Sequence, residues 1–166
     1  MPLTDSQKGK IAEHLVGAAC LLQSDGAFLA SVPLVDDEGV DLILTHKKTN
    51  QTLLLQVKSR FTLSKRGNYR TQVRKAVLLP SPSKFLLFVF YDKVRAALGE
   101  RMWLVPSLDF ERLLQGQRAE RPNFVFQSRF TSKADMWKPY QIGVQDLAAA
   151  LLGHLTETRI SNGYPF

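Results

Sequence analysis

Residues 53–60 read LLLQVKSR: three leucines run into a glutamine and a valine, with a lysine and an arginine close behind. Leucines and a β-branched valine suit an extended strand, and successive side chains of a strand point to opposite faces. Leu53, Leu55 and Val57 then share one face, while Leu54, Gln56, Lys58 and Arg60 share the other. The first face belongs against a core. The second either meets water or gathers Gln56 and Lys58 for chemistry, and the flanking segments bear on that choice.

VDLILT (40–45) is predicted to be a strand, with HKKTNQ turning it into the 52–61 strand as a hairpin. Val40, Leu42 and Leu44 form its apolar set, so Asp41 takes the opposite side and falls beside Gln56 and Lys58. Asp41 is then either one half of a cross-strand ion pair or part of a site. Upstream, residues 7–23 (QKGKIAEHLVGAACLLQ) have helical periodicity, with Ile11, Leu15, Ala18 and Leu22 on one stripe and Asp5 or Ser6 as cap. Glu13 lies on another side of that helix, near Val16 and Cys20. A partly buried carboxylate needs a partner. Lys10 or another base supplies one reading; the polar patch around Asp41 supplies the other.

Asp25-Gly26 signals a turn before a strand at 28–34. KFLLFVFYD (84–92) is a continuous apolar run expected to be the most buried strand. Further strands are expected at 101–107 and 123–130. A short helix at 107–115, capped by Ser107, and an amphipathic helix at 144–155 complete the pattern. Repeats, low-complexity tracts and long linkers are absent from the sequence. A leading helix, a run of strands and closing helices predict one α/β domain over 1–166 with a mixed sheet flanked by helices.

The chain of 166 residues carries a net charge of +7 and a pI near 9.7, which favours polyanionic partners. The charge is unevenly spread. KSRFTLSKRGNYRTQVRK (58–75) has basic residues at 58, 60, 65, 66, 70, 74 and 75 and no acid, whereas Asp36, Asp37, Glu38 and Asp41 cluster just upstream. Taken alone, the basic run reads as a solvated loop turning at Gly67-Asn68. An apolar run of the roughly 18 residues needed to span a bilayer is absent, and MPLTDSQKGK lacks a signal-peptide core. One cysteine, Cys20, permits no internal disulfide and suits a core position, so a soluble cytoplasmic protein is expected. His14, His46 and His154 are not at zinc spacing. The aromatic and basic segment FVFQSRFTSKADMWKPY is better explained by packing than by base stacking.

A glutamate on a first helix, an aspartate on a strand and Q-x-K on the next strand, carried here by GKIAEHLVGAA, EGVDLIL and LLLQVKSR, resemble the PD-(D/E)XK nuclease superfamily. The likeness is nearest to Holliday-junction-resolvase-like and Mrr-like members, and to small uncharacterised bacterial proteins in which segments like MWLVPSLDF and SKADMWKPY recur. It implies a restriction-endonuclease-like core over about residues 7–92 and a metal-dependent DNA endonuclease. By that resemblance Asp41 is the main ligand of Mg²⁺ (or Mn²⁺). Gln56 adds its amide oxygen and Val57 its backbone carbonyl, while Glu13 holds the metal through a water or completes a second site. Lys58 orients the attacking water, and Arg60, Lys65, Arg66, Arg70 and Arg74 bind backbone phosphates. Two positions depart from the family pattern. Gln56 replaces an acid and removes a charge, and Val40 stands where a proline is usual; Asp36, Asp37 and Glu38 either compensate or form a solvated turn. DNA is the implied partner, with RNA also open, and paired cuts by analogy imply a homodimer. Two alternatives follow from the same residues: an inactive nucleic-acid-binding module of this fold, or a protein-interaction domain in a defence or mobile-element system.

Overall fold

The computed structural model describes residues 2–35, 38–117 and 120–161, with 157–161 described in backbone only. Helix α1 (Asp5–Gln23) leads into strands β1 (Phe28–Ser31), β2 (Leu42–His46) and β3 (Thr52–Arg60). Strand β4 (Asn68–Arg74) and a 3-10 turn (Lys75–Val77) precede β5 (Lys84–Asp92) and β6 (Ala97–Pro106). Helix α2 (Ser107–Leu114), β7 (Asn123–Arg129), β8 (Gln141–Gly143) and α3 (Leu147–Ser161) follow. Six strands form one sheet in the order β1-β2-β3-β5-β6-β8, and β4 pairs only with β7.

The sheet is mixed because β3 and β5 run parallel, whereas its other neighbours are antiparallel. A parallel pair cannot be joined by a hairpin. The required crossover, residues 61–83, carries β4 out of the main sheet and over one of its faces. Leu53, Leu55 and Val57 pack with Phe85, Leu87 and Val89 under α1 and α3. On the other face, Leu86, Phe88, Trp103 and Val105 pack against α2 and the β4–β7 ribbon. The expected α/β class, the hairpin from β2 to β3 and the heavily buried β5 are all present.

Several local expectations differ. The face of α1 that enters the core is Ala12, Val16 and Cys20, while Leu22, on the expected stripe, is 80% exposed. Small residues let the helix lie close to the sheet: a Cβ at Gly17 would sit 3.6 Å from Leu42. Thr4, not Asp5 or Ser6, caps α1 in a reciprocal capping box with Gln7. Ser107 does not cap α2; its hydroxyl donates to Ser81 O and accepts from Ser81 N, pinning the approach to β5. The segment expected as a basic loop is in part strand β4, with Tyr69, Thr71 and Val73 buried between exposed Arg70, Gln72 and Arg74. Phe124, Phe126 and Trp137 are packed in the second core, as expected, and burial pushes the Cys20 thiol up to about 12.

Candidate active site

The candidate site forms where β2 parts from β3. Leu42 faces Leu55, yet Asp41 also donates its backbone N–H to Leu55 O at 2.8 Å. Two residues against one is the arrangement of a β-bulge, which re-aims the side chain at that point. The Asp41 side chain is directed along β3, where its Oδ2 accepts from Val57 N at 2.6 Å. A carboxylate accepting a backbone N–H makes a strong, charge-assisted bond. The pairing of β3 with β2 ends at Leu55. By the alternation of an extended strand, Val57 C=O points to the same side as its N–H, toward Asp41.

Gln56 is 2% exposed on the other face of β3, opposite Leu86 of β5. Its Oε1 is buried and has no hydrogen-bond donor among the described residues. An unsatisfied buried acceptor costs about 1–3 kcal/mol, so this oxygen is suited to a cation or a water. Gly39 closes over the same amide. It has φ 61°, and a Cβ there would stand 2.6 Å from Gln56 Nε2 and 3.1 Å from Val77 O. Only glycine adopts that backbone freely and leaves that space.

Lys58 follows on the same face of β3, partly exposed and opposite Phe88. Its carbonyl accepts a short hydrogen bond from the Tyr69 hydroxyl of β4. Burial holds that phenol far above its ordinary range, and nearby Arg60 opposes the shift. Arg60 Nε donates to Arg70 O at 2.6 Å, a second tie between β3 and β4.

Lys84, which sequence reasoning treated only as the start of a strand, is 2% exposed and belongs to this neighbourhood. Its ammonium donates to Glu38 O at 2.7 Å and to Val77 O at 3.1 Å, strapping the chain before Asp41 to the crossover. Burial pushes the Lys84 ammonium below its ordinary value; the charges of Glu38 and Asp41 oppose that shift and Lys58 adds to it. A lysine opening an apolar run was the available signal, since buried lysines are rare unless held.

Glu13 is buried on α1, as expected, and its Oε2 is bonded by Lys10 at 2.7 Å. Helix α1 covers the Leu53, Leu55 and Val57 face, whereas Gln56 and Lys58 leave from the other. The structure thus gathers Asp41, Gln56, Val57, Lys58 and Lys84, while the bond it records for Glu13 is to Lys10. Among the described residues, no three His, Cys, Asp or Glu side chains converge. The oxygen donors here are one carboxylate, one amide and one backbone carbonyl. Asp36 and Asp37 lie outside the described residues; Glu38 contributes its carbonyl to Lys84. Arg60, Lys65, Arg66, Arg70 and Arg74 are all exposed beyond the Lys58 end of β3 or along β4. No helix among the described residues is long and apolar enough to cross a membrane.

No protein-family model matches the sequence, and no curated protein matches it. Among solved structures, the chain is similar to a bacterial homing endonuclease, I-Ssp6803I, with a TM-score of 0.58, covering 95% of this chain and 98% of that one. Identity over the match is 19%, so the likeness is one of architecture: the chain has the mixed α/β fold of that nuclease.

Proposed function

We propose that the protein is a metal-dependent DNA endonuclease of the PD-(D/E)XK type, folded as one unit over 1–166, that acts in the cytoplasm, by analogy as a homodimer. One observation carries the reading: the Asp41 carboxylate is fixed on Val57 N, and the preceding residue, Gln56, buries a side-chain oxygen that lacks a donor among the described residues, two places before Lys58. The fold shared with a homing endonuclease supports it.

The donor set fits a hard cation, because Mg²⁺ and Mn²⁺ prefer oxygen ligands. Asp41, Gln56 Oε1 and Val57 C=O would hold it, with Glu13 joining through a water or completing a second site. When bound, such an ion supplies a more acidic water and stabilises charge on the scissile phosphate. The Lys58 ammonium holds the attacking water by hydrogen bond and faces the charge that builds on the phosphate oxygens. Water adds to phosphorus, the bond to one sugar oxygen breaks, and that oxygen leaves with a proton. Arg60, Lys65, Arg66, Arg70 and Arg74 supply the basic surface that binds the nucleic acid.

The test incubates purified protein with labelled duplex, single-stranded and four-way-junction DNA and matched RNA in Mg²⁺, Mn²⁺ or EDTA. Cleavage should require metal and fall on the order of 100-fold or more in Lys58→Ala and Asp41→Ala. Cleavage that persists in both folded variants overturns the assignment. A second reading, an inactive binding module of the same fold, is favoured by the amide at position 56 and the lack of a three-acid cluster among the described residues. Salt-dependent binding without cutting in either metal would select it.

A further inference from the structure

The ribbon formed by β4 and β7 has two unlike faces. Tyr69, Thr71 and Val73 of β4 and Phe124, Phe126 and Ser128 of β7 are buried against the main sheet. The outer face carries Asn68, Arg70, Gln72 and Arg74 from β4, with Asn123, Val125, Gln127 and Arg129 from β7. Arg70 stands directly opposite Gln127, and Arg74 opposite Asn123. Neither strand contains an acid or a lysine.

Resting on the nuclease reading for its substrate class, we propose that this outer face reads base edges in the major groove of duplex DNA. The groove, about 12 Å wide, admits a two-stranded ribbon, and arginine pairs bidentately with guanine as asparagine and glutamine do with adenine. Guanidinium and amide forks match the paired donors and acceptors of base edges, a fit that the point charge of lysine lacks. Here lysines flank β4 at Lys65 and Lys75, while the β4 side of the face alternates amide and guanidinium groups and the β7 side carries Asn123, Gln127 and Arg129 around the half-buried Val125. Lateral bonds hold some of these groups in place: Arg129 Nε donates to Asn68 Oδ1 at 2.5 Å, and Asn123 Nδ2 to Gln72 Oε1 at 3.2 Å.

The buried face makes the ribbon rigid, as a reading element needs to be. The Tyr69 hydroxyl of β4 donates to Lys58 O of β3 and Arg60 of β3 donates to Arg70 O of β4, so bases read by the ribbon have a fixed offset from the phosphate presented to Lys58. Each strand has seven residues. At about 3.4 Å per residue and about 3.4 Å per base pair, the face spans roughly six base pairs. Duplex RNA is disfavoured, because its major groove is too narrow for side chains to read.

The experiment selects binders from a random duplex library with the wild-type protein in Ca²⁺ or EDTA, so that no cutting is required. Expected is an enriched motif of roughly six base pairs, weakened when 7-deazaguanine removes a major-groove acceptor. Arg70→Lys keeps the charge but loses roughly tenfold discrimination at one position, and Gln127→Ala relaxes a neighbouring one. Absence of an enriched motif, an unchanged motif in both variants, or equal binding to duplex RNA overturns the proposal. Sequence-selective binding without cleavage upholds the ribbon and rejects the nuclease. Cleavage without sequence preference does the reverse.

Discussion

Replacing Gly39 with alanine puts a methyl group where the structure has none to spare. The new Cβ would stand 2.6 Å from Gln56 Nε2 and 3.1 Å from both Val77 O and Val77 Cγ2, on a residue whose φ is 61°. The left-handed backbone alone costs a non-glycine residue about 1–2 kcal/mol. The Gln56 amide is the far end of a flexible chain and swings away, whereas Val77 O belongs to backbone held by Lys84 and yields only by strain. A total near 2 kcal/mol follows, which for a chain of this size lowers Tm by about 4–8 °C. Thermal and urea unfolding of Gly39→Ala, Gln56→Ala and the double variant measure both parts. Because Gln56→Ala removes the clashing amide, the double variant should be more stable than additivity predicts by roughly 0.5–1 kcal/mol. A Gly39→Ala protein that melts within about 1 °C of wild type, or strict additivity, refutes the account of how Gln56 is held.

Lys84→Met leaves Glu38 O and Val77 O without their donor and should cost about 1–3 kcal/mol in urea unfolding near neutral pH. The Lys84 pKa lies below its ordinary 10.5 in the folded chain, so the unfolded state binds more protons and the lysine's contribution to stability improves as pH rises toward 10.5. The wild-type advantage over Lys84→Met should therefore widen on the alkaline side, and a gap that narrows there contradicts the shift. Tyr69→Phe removes the hydroxyl that bonds Lys58 O and should cost about 1–2 kcal/mol while leaving the fold intact. An unchanged urea midpoint would show that the bond contributes nothing.

LLLQVKSR and KFLLFVFYD were readable as strands because their burial patterns are local, and the turn HKKTNQ made the β2–β3 hairpin readable with them. Strand β4 was not, although NYRTQVR alternates cleanly. Its charges suggested solvent, and its only partner, β7, lies far along the chain. The core face of α1 was legible only in part: Cys20 suits a core position, but Ala12 and Gly17 give a weak signal because they are small, and size decides close approach more than hydrophobicity does. The bulge at Asp41, the closure by Gly39 and the strap from Lys84 depend on contacts between segments that no spacing rule connects. Glu13 was legible as buried, and the pairing with Lys10 was one of its two open readings.

The pairing of β4 with β7 joins residues as much as 61 positions apart, with β5, β6 and α2 made in between. During synthesis, β2 and β3 emerge early and close a short loop, while β4 waits without a neighbour until residue 123 and beyond have left the ribosome. Contacts of such separation form slowly, since loop-closure entropy is lost before any pairing repays it. The arginine face is therefore completed well after the segments that carry Asp41 and Lys58, with β8 and α3 still to follow. A chain arrested before β7 has the strands bearing Asp41 and Lys58 but lacks the paired surface that would grip a duplex.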